Sequence, residues 1–308
     1  MTDAKPNTKL IALSFAAVYI IWGSTYIAIK FVIEELPPFF LGGIRFGAAG
    51  LILLALAMVG NKTSLAWPKA RQWLDCAILA FTLLVMGSTG VVLAEKSVPT
   101  GVVSLLVTSV PIYILLLEWF TTKVRPAATS FIGLLIGMAG MMVLLDPRVV
   151  SETNHIDPIG VMYVLGGALG TAVGAVYSRK AILPRSQSLS AGMQMLMAGT
   201  MLMILSMVFR EKIAIDDLRG MGDAAMWGLV YLTIFGSILA FSAYSYLLKH
   251  VPASRVSTYA YVNPVVAVFL GWLMAHEPVT MRTLSGAVVL IFAVWLVNKG
   301  KSERKVAV

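Results

Sequence analysis

The chain has little of what most soluble chemistry requires. Among 308 residues there is one cysteine, Cys76, and there are three histidines, His155, His250 and His276, each alone in its stretch. One thiol forms no internal disulfide, and isolated histidines do not supply the clustered ligands of a metal site, so redox and metal chemistry are not expected and no cofactor is called for. Charge is scarce as well. Only 13% of residues are Asp, Glu, Lys or Arg, about half the share found in soluble domains. No HExxH or GxSxG occurs, which leaves an intramembrane hydrolase without its motifs. The nearest approach to a phosphate-binding loop, Gly300-Lys301-Ser302, has Trp295 where the first glycine belongs, so ATP does not drive this protein.

What is present is apolar. Hydrophobic residues make up 58% of the chain. They fall into runs of the length a bilayer crossing needs, about 20 residues. Ten spans are expected: Leu10 to Ile29, Pro38 to Val59, Trp73 to Ala94, Thr100 to Phe120, Ala127 to Leu145, Pro158 to Ser178, Ser188 to Phe209, Ala224 to Leu248, Pro252 to Met274 and Met281 to Asn298. The runs are continuously apolar rather than alternating, so helices, not a barrel, satisfy the backbone in lipid. The first run is bracketed by Lys9 and Lys30 and followed by nine more, so it reads as a span, not a cleaved signal.

The net charge of +9 would suggest nucleic acid in a soluble protein. Here the cations lie between the spans. With the N-terminus inside, fifteen Lys and Arg fall on the inner side and seven on the outer, and Arg45 and Arg255 lie within spans. The positive-inside rule then places both termini in the cytoplasm of an inner-membrane protein. Asn61-Lys62-Thr63 matches a glycosylation sequon but falls on the inner side, a chance match.

The two halves repeat. Pro99 to Leu145 lies on Pro252 to Val297 at an offset of 153, which matches Pro111 with Pro264, Trp119 with Trp272 and Gly133 with Gly286. At an offset of 149, Gly42 to Gly50 lies on Ala191 to Gly199 and Gly87-Ser88 on Gly236-Ser237, and at 151 Trp22 to Tyr26 lies on Val173 to Tyr177. Five spans per repeat is an odd number, so the second copy enters the membrane in the opposite sense. The expected fold is an all-α membrane protein of ten transmembrane helices in two inverted five-helix repeats. A cytoplasmic segment 1–9 leads into the first repeat, 10–145; the second, 158–298, ends in a basic cytoplasmic tail, 299–308. Inverted repeats point to alternating access around a midplane site.

Tyr19 to Tyr26 (YIIWGSTY), the Arg45-Phe46 step, Val98-Pro99-Thr100-Gly101 and Ala260 to Val265 (AYVNPV) resemble the EamA family of the drug/metabolite transporter superfamily. The resemblance runs from about Leu10 to Asn298. It implies ten helices around a central cavity and movement of small metabolites, often by export. The family's Gly-Glu pair between the last two helices of each half is represented by Glu277 in the second half. In the first half the place is taken by Thr121-Thr122-Lys123-Val124-Arg125.

Several residues could carry the chemistry. Arg45 lies some seven residues into its span, about 10 Å deep, where a charge requires a wet cavity or a partner. It is either an anchor for a substrate carboxylate, through its bidentate fork, or a structural ion pair or carbonyl cap. Glu95, at the outer end of the third span, is a partner for Arg45, a proton carrier or, with its neighbour Lys96, simply solvated. Matched stripes at i, i+4, i+7 carry Ser88, Val92 and Glu95 against Ser237, Phe241 and Tyr244, and Ser104, Thr108 and Pro111 against Ser257, Tyr261 and Pro264. These suggest a lined cavity, although single hydroxyls often bond within their own helix. Trp22 and Tyr26 share a face suited to a mostly apolar ligand. The glycine strings 43/47, 133/137 and 166/170/174 are packing features, and the methionines of the seventh span recur on several faces.

The expected function is secondary transport of small amino-acid-like or aromatic metabolites, open to proton coupling, with a passive facilitator or channel as the alternative. The partners are a small-molecule substrate and the lipid bilayer, without nucleic acid. Green fluorescent protein fused to the C-terminus should fluoresce, and alkaline phosphatase fused there should be inactive; active phosphatase would reverse the topology.

Overall fold

The computed structural model describes residues 8–60, 67–98, 100–144, 157–212, 220–275 and 281–306. The sequon at Asn61 and the Glu277 motif lie outside these residues. The helices are α1 (Thr8–Ile33), α2 (Pro38–Gly60), α3 (Ala70–Ala94), α4 (Thr100–Val107), α5 (Val110–Thr122) and α6 (Ala128–Leu144). They continue with α7 (Pro158–Tyr177), α8 (Gln187–Val208), α9 (Asp223–His250), α10 (Ala253–Val256), α11 (Tyr259–Ala275) and α12 (Met281–Val306). No strand occurs among the described residues. Six helices, α1, α2, α3, α7, α8 and α9, are long and apolar enough to cross a membrane, and shorter apolar helices accompany them.

Local chemistry sets the helix starts. Asp157 accepts the amides of Ile159 (3.0 Å) and Gly160 (3.3 Å) ahead of Pro158 in the first turn of α7. These amides and the Ser97 hydroxyl hold its carboxyl below the usual range, Ser97 contributing most. Large apolar side chains such as Leu13, Met58 and Trp227 are exposed around the bundle, as helices surrounded by lipid require.

Two features depart from the sequence reading. First, α3 and α9 wind as π-helix in their centres, over Ala80–Ser88 and Leu232–Phe241. The Gly-Ser pairs matched at offset 149, 87-88 and 236-237, both fall inside these segments. Hydroxyls bond back five residues, Thr89 to the Leu84 carbonyl at 3.4 Å and Ser237 to that of Leu232 at 3.0 Å, which suits the wider i→i+5 winding. Second, the fourth and ninth expected spans are each divided between two helices. The breaks fall at Thr108 and Ser109 and at Ser257 and Thr258. In the second break the Ser257 and Thr258 hydroxyls cap the carbonyls of Ser254 (3.1 Å) and Arg255 (2.7 Å). The two breaks are 149 residues apart whereas the prolines are 153 apart, so Pro111 enters the first turn of α5 while Pro264 lies inside α11.

The repeat becomes visible where α2 meets α8. A Cβ on Gly199 would stand 2.5 Å from the Gly47 amide nitrogen, and one on Gly50 would stand 2.5 Å from that of Leu196. At offset 149 these are the same contact made twice: Gly50 corresponds to Gly199 and Gly47 to Leu196. One turn further out the exchange recurs, Gly43 against Met203 and Gly192 against Leu54. In every pair one residue number rises as the other falls. The two equivalent helices therefore run antiparallel, related by an approximate two-fold axis. Helices α6 and α12 pair with similar closeness, a Cβ on Gly133 standing 2.9 Å from the Val297 nitrogen. Small residues permit such backbone approach in a bilayer, where packing drives association.

Gly199→Leu should therefore separate α2 from α8 and lower stability by about 1–3 kcal/mol, as overpacking does. It would be read as a lower melting midpoint of the purified protein. Gly166→Ala, where a Cβ meets nothing within 4 Å, is the control. Equal midpoints for the two variants would remove the contact from its central place.

Candidate substrate site

Close approach of α2 and α8 carries Arg45 into the interior beside the π-helical centre of α9. Arg45 is 6% exposed. Its Nε donates to the Ser237 hydroxyl at 2.8 Å, and that hydroxyl donates on to the Leu232 carbonyl. Its Cζ lies 4.9 Å from the Phe46 ring centroid. A Cβ on Gly236 would stand 3.0 Å from Nη2, so the missing side chain makes room for the guanidinium. The ion pairs among the described residues are Arg71 with Asp75 and Arg179 with Glu118. Neither involves Arg45, whose two terminal nitrogens have no carboxylate.

The guanidinium faces a cavity of about 120 Å³ between the two halves. Trp22, Tyr26, Arg45, Ser88 and Tyr244, all singled out from sequence, line it. Trp22 donates its Nε1–H to the Gly236 carbonyl at 3.2 Å, tying α1 of the first half to α9 of the second. The rings of Trp22, Tyr244 and Tyr259 pack edge-on or tilted with centroids 4.9–5.9 Å apart. Apolar groups such as Leu83, Val91, Val110 and Phe241 complete most of the remaining wall.

The other five candidates are placed elsewhere. Ser237 sits behind Arg45 as its hydrogen-bond partner. Ser104 and Thr108 are buried near the end of α4 but do not line the cavity, and Ser257 is committed to the Ser254 carbonyl. Tyr261 packs on Gly137 of α6, with its hydroxyl toward the Leu134 carbonyl at 3.5 Å. Tyr259 and Asn263 line the cavity, and two residues of helix turn the chain through about 200°, so Tyr261 points away between them. Asn263 is a lining residue that the sequence reading left inside a motif without a role. Its amide nitrogen, suitably oriented, donates to the carbonyls of Tyr19 (3.2 Å) and Tyr259 (3.1 Å). The available signal was a carboxamide in an otherwise apolar helix, four residues from Tyr259.

Glu95, one residue past α3, does not pair with Arg45, contrary to one of the expectations. Both its carboxylate oxygens are buried and accept no hydrogen bond. Tyr26 and Lys30 lie within its electrostatic reach. Burial pushes its carboxyl up to about 8, with Lys30 opposing the shift.

Carboxylates also tie the two halves together on either side of the cavity. Near the start of α3, the fully buried Asp75 accepts from the Tyr177 hydroxyl (2.5 Å), the Ile182 amide (2.7 Å) and Arg71 Nε (3.2 Å). On the same side Glu118 accepts from the Ser254 hydroxyl at 2.7 Å. At the opposite end Glu211 accepts the Phe39 and Phe40 amides at 3.0 and 2.8 Å, capping α2, and Glu35 accepts the Gly222 amide at 2.9 Å ahead of α9. Asp75 is a functional residue that the motifs above do not include, although an acid inside an apolar run is a usable signal. Among the described residues no group of three His, Cys, Asp or Glu side chains could hold a metal.

Comparison with known proteins bears on the family and the fold. The model of the EamA-like transporter family matches residues 9–146 and again 158–299. The chain is 37% identical over 289 residues to a protein of Escherichia coli K12 called "Uncharacterized inner membrane transporter YedA", covering 92% of this chain and 89% of that one. It is 25% identical over 302 residues to "Uncharacterized transporter YoaV" of Bacillus subtilis, covering 96% and 99%. A crystal structure superposes with a TM-score of 0.75 at 16% identity, covering 94% of this chain and 98% of the other. At that identity it supports the fold alone.

Proposed function

Because the chain belongs to the EamA-like transporter family, we propose that it is a secondary transporter, not an enzyme. It moves small carboxylate-bearing metabolites, amino-acid-like or aromatic, across the inner membrane by alternating access. In this reading α4 with α5, and α10 with α11, are single broken spans. With α6, α12 and the six long helices they make ten crossings in two inverted repeats, both termini being cytoplasmic.

The observation that carries the proposal is the unpaired guanidinium of Arg45 in a cavity built from both halves. A guanidinium with free terminal nitrogens offers a carboxylate two parallel hydrogen bonds. Rocking of the halves about the α2–α8 axis would open the cavity to one side and then the other. The carboxylate ties on both sides favour this route over the alternative of a permanently open pore, since each can close one end while the other parts. Arg45→Lys keeps the charge but loses the fork, and should lower transport about tenfold, the weight of one charge-assisted hydrogen bond. Normal transport by both Arg45→Lys and Arg45→Gln would leave the residue a structural role only.

Glu95 supplies the coupling in this proposal. Sealed from water its carboxyl holds a proton near neutral pH, and when water reaches it the group returns toward ordinary acidity and releases it. Uptake from the outside as substrate leaves gives substrate/proton antiport. The repeat-equivalent residue is Tyr244, whose phenol does not titrate near neutrality, so coupling is asymmetric. Glu95→Gln should abolish accumulation driven by a pH gradient while preserving exchange of labelled substrate at equal pH in proteoliposomes. Gradient-driven accumulation that survives the substitution would leave a facilitator, or a coupling group elsewhere.

A further inference from the structure

The charge inventory of the cavity narrows the substrate beyond the presence of a carboxylate. Among the described residues its lining contains one ionisable cation, Arg45, and no Asp or Glu. A ligand carrying an α-ammonium group beside its carboxylate would neutralise Arg45 and bring a second buried cation in its place. Buried charges are tolerated only when paired, so the question is what could receive that ammonium.

Each candidate is already committed or neutral. Glu95 does not line the cavity, and both its oxygens are sealed from contact. The Gly236 carbonyl is taken by Trp22. A cation could instead sit on an aromatic face, but a neutral ring supplies no counter-charge, and three of the lining rings, Trp22, Tyr244 and Tyr259, are turned on one another. Tyr259 stands at 77° to Trp22 and at 87° to Tyr244, edge to face at centroid distances of 5.0 and 5.9 Å. The Phe46 ring already lies beneath Arg45. What remains is neutral: the Asn263 amide, the Ser88 and Thr171 hydroxyls, and the hydroxyls of Tyr26, Tyr244 and Tyr259, which make no hydrogen bond to a described residue. These groups could accept from an ammonium, the Asn263 amide through its oxygen, but none carries the negative charge that would offset a second buried cation, whereas the hydroxyls can also donate to a carboxylate oxygen.

Resting on the transport reading above, we infer that the preferred substrate is a small monocarboxylate of net charge −1 with an apolar or aromatic body, and that the site discriminates against the corresponding zwitterionic amino acid. Arg45 is the specificity-determining residue, because it supplies the one charge the ligand must cancel.

Matched probes test this on the full chain in detergent or nanodiscs, by ligand-induced shift of the melting midpoint and by competition for transport. Isovalerate, valine and isobutylamine share one apolar body and differ in charge; 3-phenylpropionate, phenylalanine and phenethylamine form a second, larger set. The two carboxylates should bind at least about tenfold more tightly than their amino acids, and the amines should not bind. Arg45→Gln should erase the difference between isovalerate and valine. Arg45→Lys, which retains the charge, should keep the order at lower affinity. The wild-type comparison stands even if a variant fails to fold. Amino acids that bind as tightly as their deaminated partners would overturn the inference while leaving a carboxylate transporter standing. If none of the six probes binds or competes, the substrate-site reading falls as well.

Discussion

The structure depends on how closely two helix backbones can approach. Where α2 crosses α8, Gly50 and Gly199 leave no space for a Cβ, and each contact is answered by its repeat-equivalent on the other side of the axis. In lipid there is little hydrophobic gain in burying one apolar helix against another, so close packing between small residues decides which helices meet. That crossing positions Arg45, which lies on α2 between Gly43 and Gly47. It also fixes the level at which the first half meets the π-wound centre of α9, and hence the hydrogen bond from Arg45 to Ser237. Larger residues at the crossing would displace the guanidinium from its partner without touching either one.

Much of this was legible in the sequence, for physical reasons. Apolar runs of the right length are an obligatory signature of a lipid environment, and the repeat at offset 149 survives because reciprocal contacts constrain both copies alike. Arg45 stood out because a lone charge in such a run must be accommodated. The rest was hidden in helix phase. A stripe at i, i+4, i+7 assumes regular α-winding, and the π segments over Ala80–Ser88 and Leu232–Phe241 shift which side chains share a face. The stripe that puts Tyr261 on the cavity face rests on the same assumption of an unbroken helix, whereas α11 begins only at Tyr259 and turns that ring toward α6. Glu95 was close enough in sequence position to suggest a pair with Arg45. Its oxygens are sealed within a separate environment, near Tyr26 and Lys30.

The interior combines two requirements that usually conflict. A mostly apolar wall disfavours charge, yet one guanidinium is held there by a single hydroxyl and an aromatic face. The arrangement leaves the cation anchored on one side and open on the other. Its Nε is occupied by the protein and its terminal nitrogens turn to the cavity. A lysine could not divide its hydrogen bonds in this manner, because an ammonium has no second, rigidly separated set of donors.

The closures on the two sides differ in what they hold on to. On the Asp75 side the partners include a phenol and a guanidinium, and on the opposite side Glu211 and Glu35 grip main-chain amides. An amide is present whichever amino acid occupies the position, proline excepted. As hydrogen-bond donors, Phe39, Phe40 and Gly222 can therefore drift through sequence space while that closure persists. The Asp75 closure instead ties three side chains to one another, so a substitution in any of them leaves its partners exposed to selection until they change too.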